Sequence, residues 1–214
     1  CPDGIWPDAI TGDVIRYVTP DGAGDGTSKE LAGNLQDMLS DAPEGATIVL
    51  SKGEYSGYAL IRGSYHLLGA CAAETILERR DVDNWQRGAV TMTGDGPASV
   101  RHMTIRSDGV GAIVGDGEGV KSISGVLIEE ARTFGIFVQN GELLLEDTVV
   151  RNTQPRADGL AGHGIRFQQG GKGTVNRVVL DANHGQGLAV IDQGSVVSAR
   201  ELVSQNTLSS NGEE

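Results

Sequence analysis

Gly111-Ala112-Ile113-Val114, Gly135-Ile136-Phe137-Val138, Gly164-Ile165-Arg166-Phe167 and Gly187-Leu188-Ala189-Val190 are four glycine-led tetrads, with start-to-start spacings of 24, 29 and 23. A second apolar series keeps the same beat: Ile105, Ile128, Val150, Leu180 and Val203, spaced 23, 22, 30 and 23. Two markers that advance together at this period describe a stacked repeat rather than a closed globule. Each unit is too short and too poor in helix formers for a pair of packed helices. Its apolar and β-branched runs of three to six residues, broken by Gly, Asn and Asp, read as two or three short strands joined by bends. Successive units then stack as parallel strands about 4.8 Å apart. The result is an all-β parallel β-helix. The Leu-x-x-Leu-x-Leu frame of leucine-rich repeats is missing.

Strand alternation assigns faces to the repeat. One residue past each member of the apolar series lie Arg106, Glu129, Arg151, Asp181 and Ser204. They read as an exposed ladder of alternating charge. Glu129 and Asp181, two rungs apart at roughly 9.6 Å by strand spacing, approach the separation of an inverting carboxylate pair. Arg151 between them favours the ion ladder. Thr153, Asn183 and Asn206 form a further column at the next bend, a place for side-chain hydrogen bonds along the stack.

The 214 residues fit one elongated domain, and the 32 glycines are placed by this reading at rung corners, where positive φ or close approach is needed. The net charge of −12 argues against a nucleic-acid partner. It also opposes long-range attraction to acidic polysaccharides unless cations bridge them. No run of about 18 apolar residues suggests a membrane span. The sequence starts at Cys1, and three states of its sulfur are open: lipidated as in a bacterial lipoprotein, bonded to Cys71, or free. Cys71 lies in an apolar run and reads as a small core residue.

Along the chain, residues 1–13 read as an irregular arm, 14–206 as the β-helix, and 207–214 as a polar tail. A helix at about 28–41 caps the entrance, opened by a Thr27-x-x-Glu30 capping box and carrying an apolar stripe of Leu31, Leu35, Met38 and Leu39. In the loop before it, Asp21 and Asp25 are candidate ligands for a hard cation such as Ca2+, with turn chemistry as the alternative. No other cofactor is indicated. Trp85, in a polar segment, reads as a cover over the stack. His184, in Asn183-His-Gly, reads as a bend residue.

Tyr17-Val-Thr-Pro-Asp-Gly-Ala-Gly-Asp-Gly-Thr-Ser, Leu35-Gln-x-Met-Leu, Gly45-Ala-Thr-Ile-Val-Leu, Gly53-Glu-Tyr and Leu67-Leu-Gly together resemble the entrance of secreted right-handed parallel β-helix proteins, the pectate-lyase-like superfamily. The stretch from Leu68 to Leu77 also resembles exported bacterial β-helix proteins and lipoproteins. The resemblance implies a right-handed solenoid and an exported protein. It does not choose among the lyases, hydrolases, epimerases, adhesins and non-enzymatic surface proteins of that superfamily. Hydrolase chemistry there needs aspartates in order ahead of a Gly-His-Gly. Gly162-His163-Gly164 occurs without them. The expectation is a non-catalytic surface scaffold that binds polysaccharide, with a polysaccharide lyase or hydrolase, or an adhesive segment of a longer chain, as alternatives.

The candidate site is the one long unit. Between Val150 and Gly164 the chain inserts Arg156, Asp158 and His163. Insertions in solenoids leave the stack intact and are where binding function gathers. Ile165 and Phe167 should face in, so Arg166 faces out beside Phe137 of the preceding rung. Gln139 and Gln168 lie two residues on. An exposed Phe, arginines and two amides on one face suit a sugar. At the other end, nothing after Val203 is expected to form a cap, so a continuing chain or a partner molecule is expected to cover the last rung.

Overall fold

The computed structural model describes residues 1–80 and 88–208. Trp85, Glu213 and Glu214 lie outside the described residues. The chain enters through β1 (Ile15–Val18) and α1 (Leu35–Asp41). Three strands make the first turn: β2 (Thr47–Leu50), β3 (Gly53–Ser56) and β4 (Ala59–Arg62). The second turn is β5 (His66–Gly69), β6 (Thr75–Arg79) and β7 (Gly88–Thr93). The third is β8 (Ala98–Arg101), β9 (Thr104–Ser107) and β10 (Val110–Val114). The fourth is β11 (Val120–Ser124), β12 (Leu127–Glu129) and β13 (Phe134–Gln139). From there the first two strands of each turn run together: β14 (Glu142–Arg151), β15 (His163–Gln168), β16 (Lys172–Asp181), β17 (Leu188–Val190) and β18 (Val196–Gln205).

All named pairings are parallel. They form a twelve-stranded sheet bent along its length and a six-stranded sheet of β4, β7, β10, β13, β15 and β17. The bend is made by single left-handed residues. His102, Gly125, Asp147, Arg177 and Glu201 hold φ between 48° and 62° at one corner, and Glu130, Asn152, Ala182 and Asn206 hold 48° to 58° at the next. Most of these are not glycine, which corrects the expectation that glycine supplies the corners.

The tetrad glycines serve packing instead. The registers Ala112↔Ile136, Ile136↔Ile165 and Ile165↔Leu188 align the four tetrads. Gly135 has no positive φ. A Cβ there would meet Val150 Cγ1 and would lie 2.6 Å from the Gly164 carbonyl oxygen. At this place the sheet lies too close to the neighbouring turn for any side chain.

Stacked columns build the core. Ile48, Leu67, Val100, Ile123, Leu145 and Val175 succeed one another in register, all without solvent contact. A second column runs Tyr55, Leu77, Ile105, Ile128, Val150 and Leu180. Its last member is Ser204, not Val203: Leu180 pairs with Ser204, and Val203 pairs with Val179. Val203 is 48% exposed. The bend columns shift likewise, so Asn206 follows Ala182 rather than Asn183. The final rung exposes Val190, Ile191, Val196 and Val203. The step from Leu180 to its register partner Ser204 is 24 residues, not 23.

The entrance departs from expectation as well. The helix starts at Leu35, because the backbone of 31–33 is committed to the segment around β1. Gly26 N–H donates to Leu31 O, Gly24 N–H to Ala32 O, and Gly33 N–H to Tyr17 O. Asn34 caps the helix by accepting from Asp37 N–H at 2.9 Å. Thr27 instead donates to Asp25, and Leu31 is 52% exposed. The arm is docked rather than loose. Cys1 is bonded to Cys71 with Cα atoms 5.2 Å apart. Lys52 Nζ donates to Pro2 O at 2.7 Å, and Trp6 meets Tyr17 edge-on. The bond occupies the sulfur that a lipid thioether would need, and it makes Cys71 a bridge rather than a core thiol.

Two charges are buried in the stack. Glu129, the acid of the expected exposed ladder, is only 5% exposed. Arg106 and Arg151 from the rungs on either side each donate two N–H bonds to it, at 2.6 to 2.9 Å. Burial alone would raise its pKa. The hydrogen bonds and charges of Arg151 and Arg106 override burial and hold it below the ordinary 4.5. Lys121 points inward and donates Nζ to the carbonyls of Gly94 and Gly96, closing the corner of the rung before.

Gly135→Ala is expected to cost about 2 kcal/mol by overpacking, and Ile136→Asp more, because it buries an unpaired charge. Chemical denaturation checks both; a midpoint unchanged from wild type in either would contradict the register. Glu129→Gln is expected to cost about 1–3 kcal/mol near neutral pH, the two arginines being partly solvated. Because the folded pKa is depressed, this stability is present above pH 4.5 and fades as pH falls below it. The variant's stability should therefore converge on wild type in acid. Denaturation curves that stay parallel down to pH 3 would rule out this role for Glu129.

Candidate functional site

The insertion closes over the six-stranded sheet. It is tied at its start by the bridge Arg132↔Gln154, by Thr133 N–H to Gln154 O at 2.8 Å, and by Gln154 N–H to Ala131 O at 2.7 Å. At its end, Gly162 and His163 N–H both donate to Thr133 O. Between these ties it folds on itself through Arg156 N–H to Leu160 O and Gly159 N–H to Arg156 O. Asn183, 1% exposed, supports it from the next rung, accepting from Thr153 N–H and donating to Val150 O, both at 3.1 Å. His184 N–H donates to Thr153 O, so the Asn183-His184 bend is a support for the insertion.

The enclosed cleft has a volume of about 480 Å³. Phe137 and Arg166 are direct register partners on its floor, as are Gln139 and Gln168. All four line it together with Arg156. Asp158 and His163 are not among the lining residues but touch them. Asp158 pairs with Arg156 at 2.8 Å. His163 Nδ1 accepts from Gln186 N–H at 2.9 Å, which places the proton of the neutral ring on Nε2. Burial first, and the Arg166 charge second, push its pKa below the ordinary 6.5.

Sequence reasoning missed the residue at the centre. Phe134 is buried, stacks on Phe137 with centroids 5.0 Å apart, and stacks on His163 at 5.8 Å. The Arg166 guanidinium lies 5.3 Å from its ring centroid. Counting back from Ile136 groups Phe134 with the inward residues, yet its ring joins outward Phe137. The preceding residue, Thr133, has φ of 79°, which breaks the regular pleat at the start of β13. Such a conformation is an outlier for a β-branched residue. Ala161, also on the lining, has φ of 68°. Thr133 lines the cleft, and its buried hydroxyl has no hydrogen-bond partner. Arg166 Nε is likewise buried and unpartnered. Val110, Ile113 and Leu160 supply an apolar wall. Two positive-φ residues and two unpartnered buried donors thus meet at this cleft.

Among the described residues, Asp21 and Asp25 belong to no group of three or more acids, His or Cys whose ligand atoms converge. Asp25 Oδ1 accepts from both Thr27 N–H and Thr27 Oγ1, and these bonds lower its pKa. The one such cluster among the described residues, Cys1, Cys71 and Glu74, has both sulfurs in the disulfide.

The family model described as "right handed beta helix region" matches residues 50–212. The chain belongs to this family. Among solved structures, a pectin methylesterase bound to a hexasaccharide aligns over 96% of this chain and 93% of its own at 12% identity, with a TM-score of 0.47. A mutant pectin methylesterase with another hexasaccharide covers the same shares at 12% identity and 0.45. A pectate lyase covers 93% of this chain and 79% of its own at 13% identity and 0.42. No curated protein sequence matches. No helix is long and apolar enough to cross a membrane.

Asn183→Ala is expected to lower stability by about 2 kcal/mol, since it leaves a buried N–H and a buried carbonyl without partners. It should also loosen the insertion. Amide hydrogen exchange at 153–163 that does not accelerate in the variant would show that Asn183 does not hold this segment.

Proposed function

We propose that this protein is a non-catalytic, exported β-helix scaffold that binds a polysaccharide in the cleft under the insertion. One observation carries the reading: Phe134 and Phe137 form an aromatic floor bracketed by Arg156, Arg166, Gln139 and Gln168. Sugars use that combination, an apolar ring face against an aromatic surface and hydroxyls or acid groups on amides and guanidiniums. Two guanidiniums on one cleft offset locally the chain's net charge of −12. The lining residues carry no carboxylate, whereas glycoside hydrolysis works through a pair of them. The disulfide supports export to an oxidising compartment.

A second reading, a polysaccharide lyase, draws on Arg166. A guanidinium with an unpartnered Nε in a sugar-sized cleft could approach a sugar carbon as well as hold an acid group. In that case Ca2+ bridging would assist an acidic substrate.

Arg156→Ala combined with Arg166→Ala is expected to abolish binding on a polysaccharide array in a protein that stays folded: the partly exposed Arg156–Asp158 pair contributes about 0–1 kcal/mol, and the Arg166 contact with the Phe134 ring about 0.5–2 kcal/mol. Binding that survives in the double variant removes this cleft as the site. Unsaturated products or new reducing ends on incubation of wild type with the bound glycan would replace the scaffold reading by the catalytic one.

A further inference from the structure

A second cavity, of about 450 Å³, lies where the N-terminal arm crosses the outer face of β2, β5, β8 and β11, away from the insertion. Thr47, His66, Ser99 and Ser122 are successive register partners across those four strands. Their neighbours Ile48, Leu67, Val100 and Ile123 point into the core, so these four point out. Thr47 and Ser99 are nevertheless 2% and 7% exposed. Thr11, Gly12 and Asp13 of the arm form the opposite wall, and Thr47 Oγ1 donates to Thr11 O at 3.0 Å. Gly12 fits there because a Cβ would run into the Thr47 side chain.

We propose that this cavity binds a tetrahedral oxyanion, a phosphate or sulfate group, through Arg101, His66, Ser99 and Ser122. Arg101 follows Ser99 by two residues and so shares its face. Its Nε is buried without a hydrogen-bond partner, and it forms no ion pair among the described residues. A buried guanidinium N–H without an acceptor is a donor waiting for one. His66 Nδ1 and Ser99 Oγ lie 2.8 Å apart. If the hydroxyl donates to Nδ1, the proton of the neutral ring sits on Nε2. If Nδ1–H donates to Oγ, the hydroxyl proton is free to turn. Either way the pair keeps one donor for a ligand. Burial, then the Arg101 charge, push the His66 pKa down, so both tautomers are of the neutral ring near neutral pH. Ser122 adds a further hydroxyl.

This donor set does not suit a cation. Its one carboxylate, Asp13, is exposed on the arm and pairs with no described residue. Donors spread over three adjacent strands, with an arginine fork beside them, match several oxygens pointing in different directions better than the two coplanar oxygens of a carboxylate. The cavity also has room for a group esterified to the anion. The oxyanion is therefore either free inorganic phosphate or sulfate, or an ester on a larger molecule such as a phosphorylated or sulfated sugar.

The test is NMR titration of the His66 ring signals in the oxidised protein at constant ionic strength. Its arms are inorganic phosphate, inorganic sulfate, acetate, and glucose 6-phosphate with glucose 6-sulfate. Saturable shifts with phosphate and sulfate are expected, with acetate at least tenfold weaker. Arg101→Gln should weaken phosphate about tenfold, the usual scale for losing one charge-assisted contact. Ser99→Ala should weaken it several-fold and removes little volume, so it tests the same point should Arg101→Gln fail to fold. Tighter binding of the sugar esters assigns the site to an esterified group; equal or weaker binding assigns it to the free anion. Shifts that never saturate, acetate binding as tightly as phosphate, or unchanged affinity in a folded Arg101→Gln or Ser99→Ala variant would overturn the proposal. Arg156→Ala with Arg166→Ala should leave this titration unchanged, since Arg166 lies on the other sheet and Arg156 on the insertion over it.

Discussion

Parallel backbone pairing between rungs is the constraint on which the rest depends. A rung three or four residues wide cannot satisfy its own N–H and C=O groups; they go to the rung before and the rung after. Neighbouring turns must therefore advance by one strand spacing in fixed register. Any position along one turn is then stacked on its equivalents in the next. That is why Ile48, Leu67, Val100, Ile123, Leu145 and Val175 form one buried column. It also explains why glycine recurs at this place: Gly111, Gly135 and Gly164 would each press a Cβ against the backbone carbonyl of the following rung.

The same stacking decides how charge is handled. An isolated carboxylate on the face of a rung would be solvated, but Glu129 has Arg106 on one side and Arg151 on the other at one strand spacing. The two guanidiniums desolvate it and satisfy it together. Lys121 solves the opposite problem. The rung before it turns at a corner where the Gly94 and Gly96 carbonyls face inward, and the Lys121 ammonium supplies their donors. Both are register devices: a slip of one residue would strand a buried charge.

The sequence made most of the stack legible because register turns three-dimensional neighbours into a linear period. The tetrads, the faces of Phe137 and Arg166, and the Arg106–Glu129–Arg151 order all follow from counting. What escaped it is what counting cannot see. The helix start at Leu35 depends on residues 31–33 pairing with the β1 segment, a contact at a distance along the chain. The corners admit His102, Asp147 and Arg177 in left-handed conformation because a single-residue bend needs only φ, which a non-glycine residue can adopt at modest strain. Phe134 was hidden by the irregular backbone at Thr133. The cavity of His66, Ser99 and Arg101 was hidden because nothing periodic predicts the path of the arm over the sheet.

The two cavities proposed as sites lie where the chain leaves the stack. A regular rung spends its polar backbone on its neighbours and its apolar side chains on the core, leaving a flat outer face. A concave site needs a wall, and a departure from the repeat raises a high one. The insertion after Val150 and the arm before Ile15 are two such departures, and each makes a cavity against a different sheet. Each is also fixed by long-range ties, the insertion by Asn183 and Thr133, the arm by Cys71, Lys52 and Thr47. The unpartnered donors found at both, Arg166 Nε and the Thr133 hydroxyl in one, Arg101 Nε in the other, lie against those added walls. Their position argues that the stack is a frame, and that the two departures are what it holds in place.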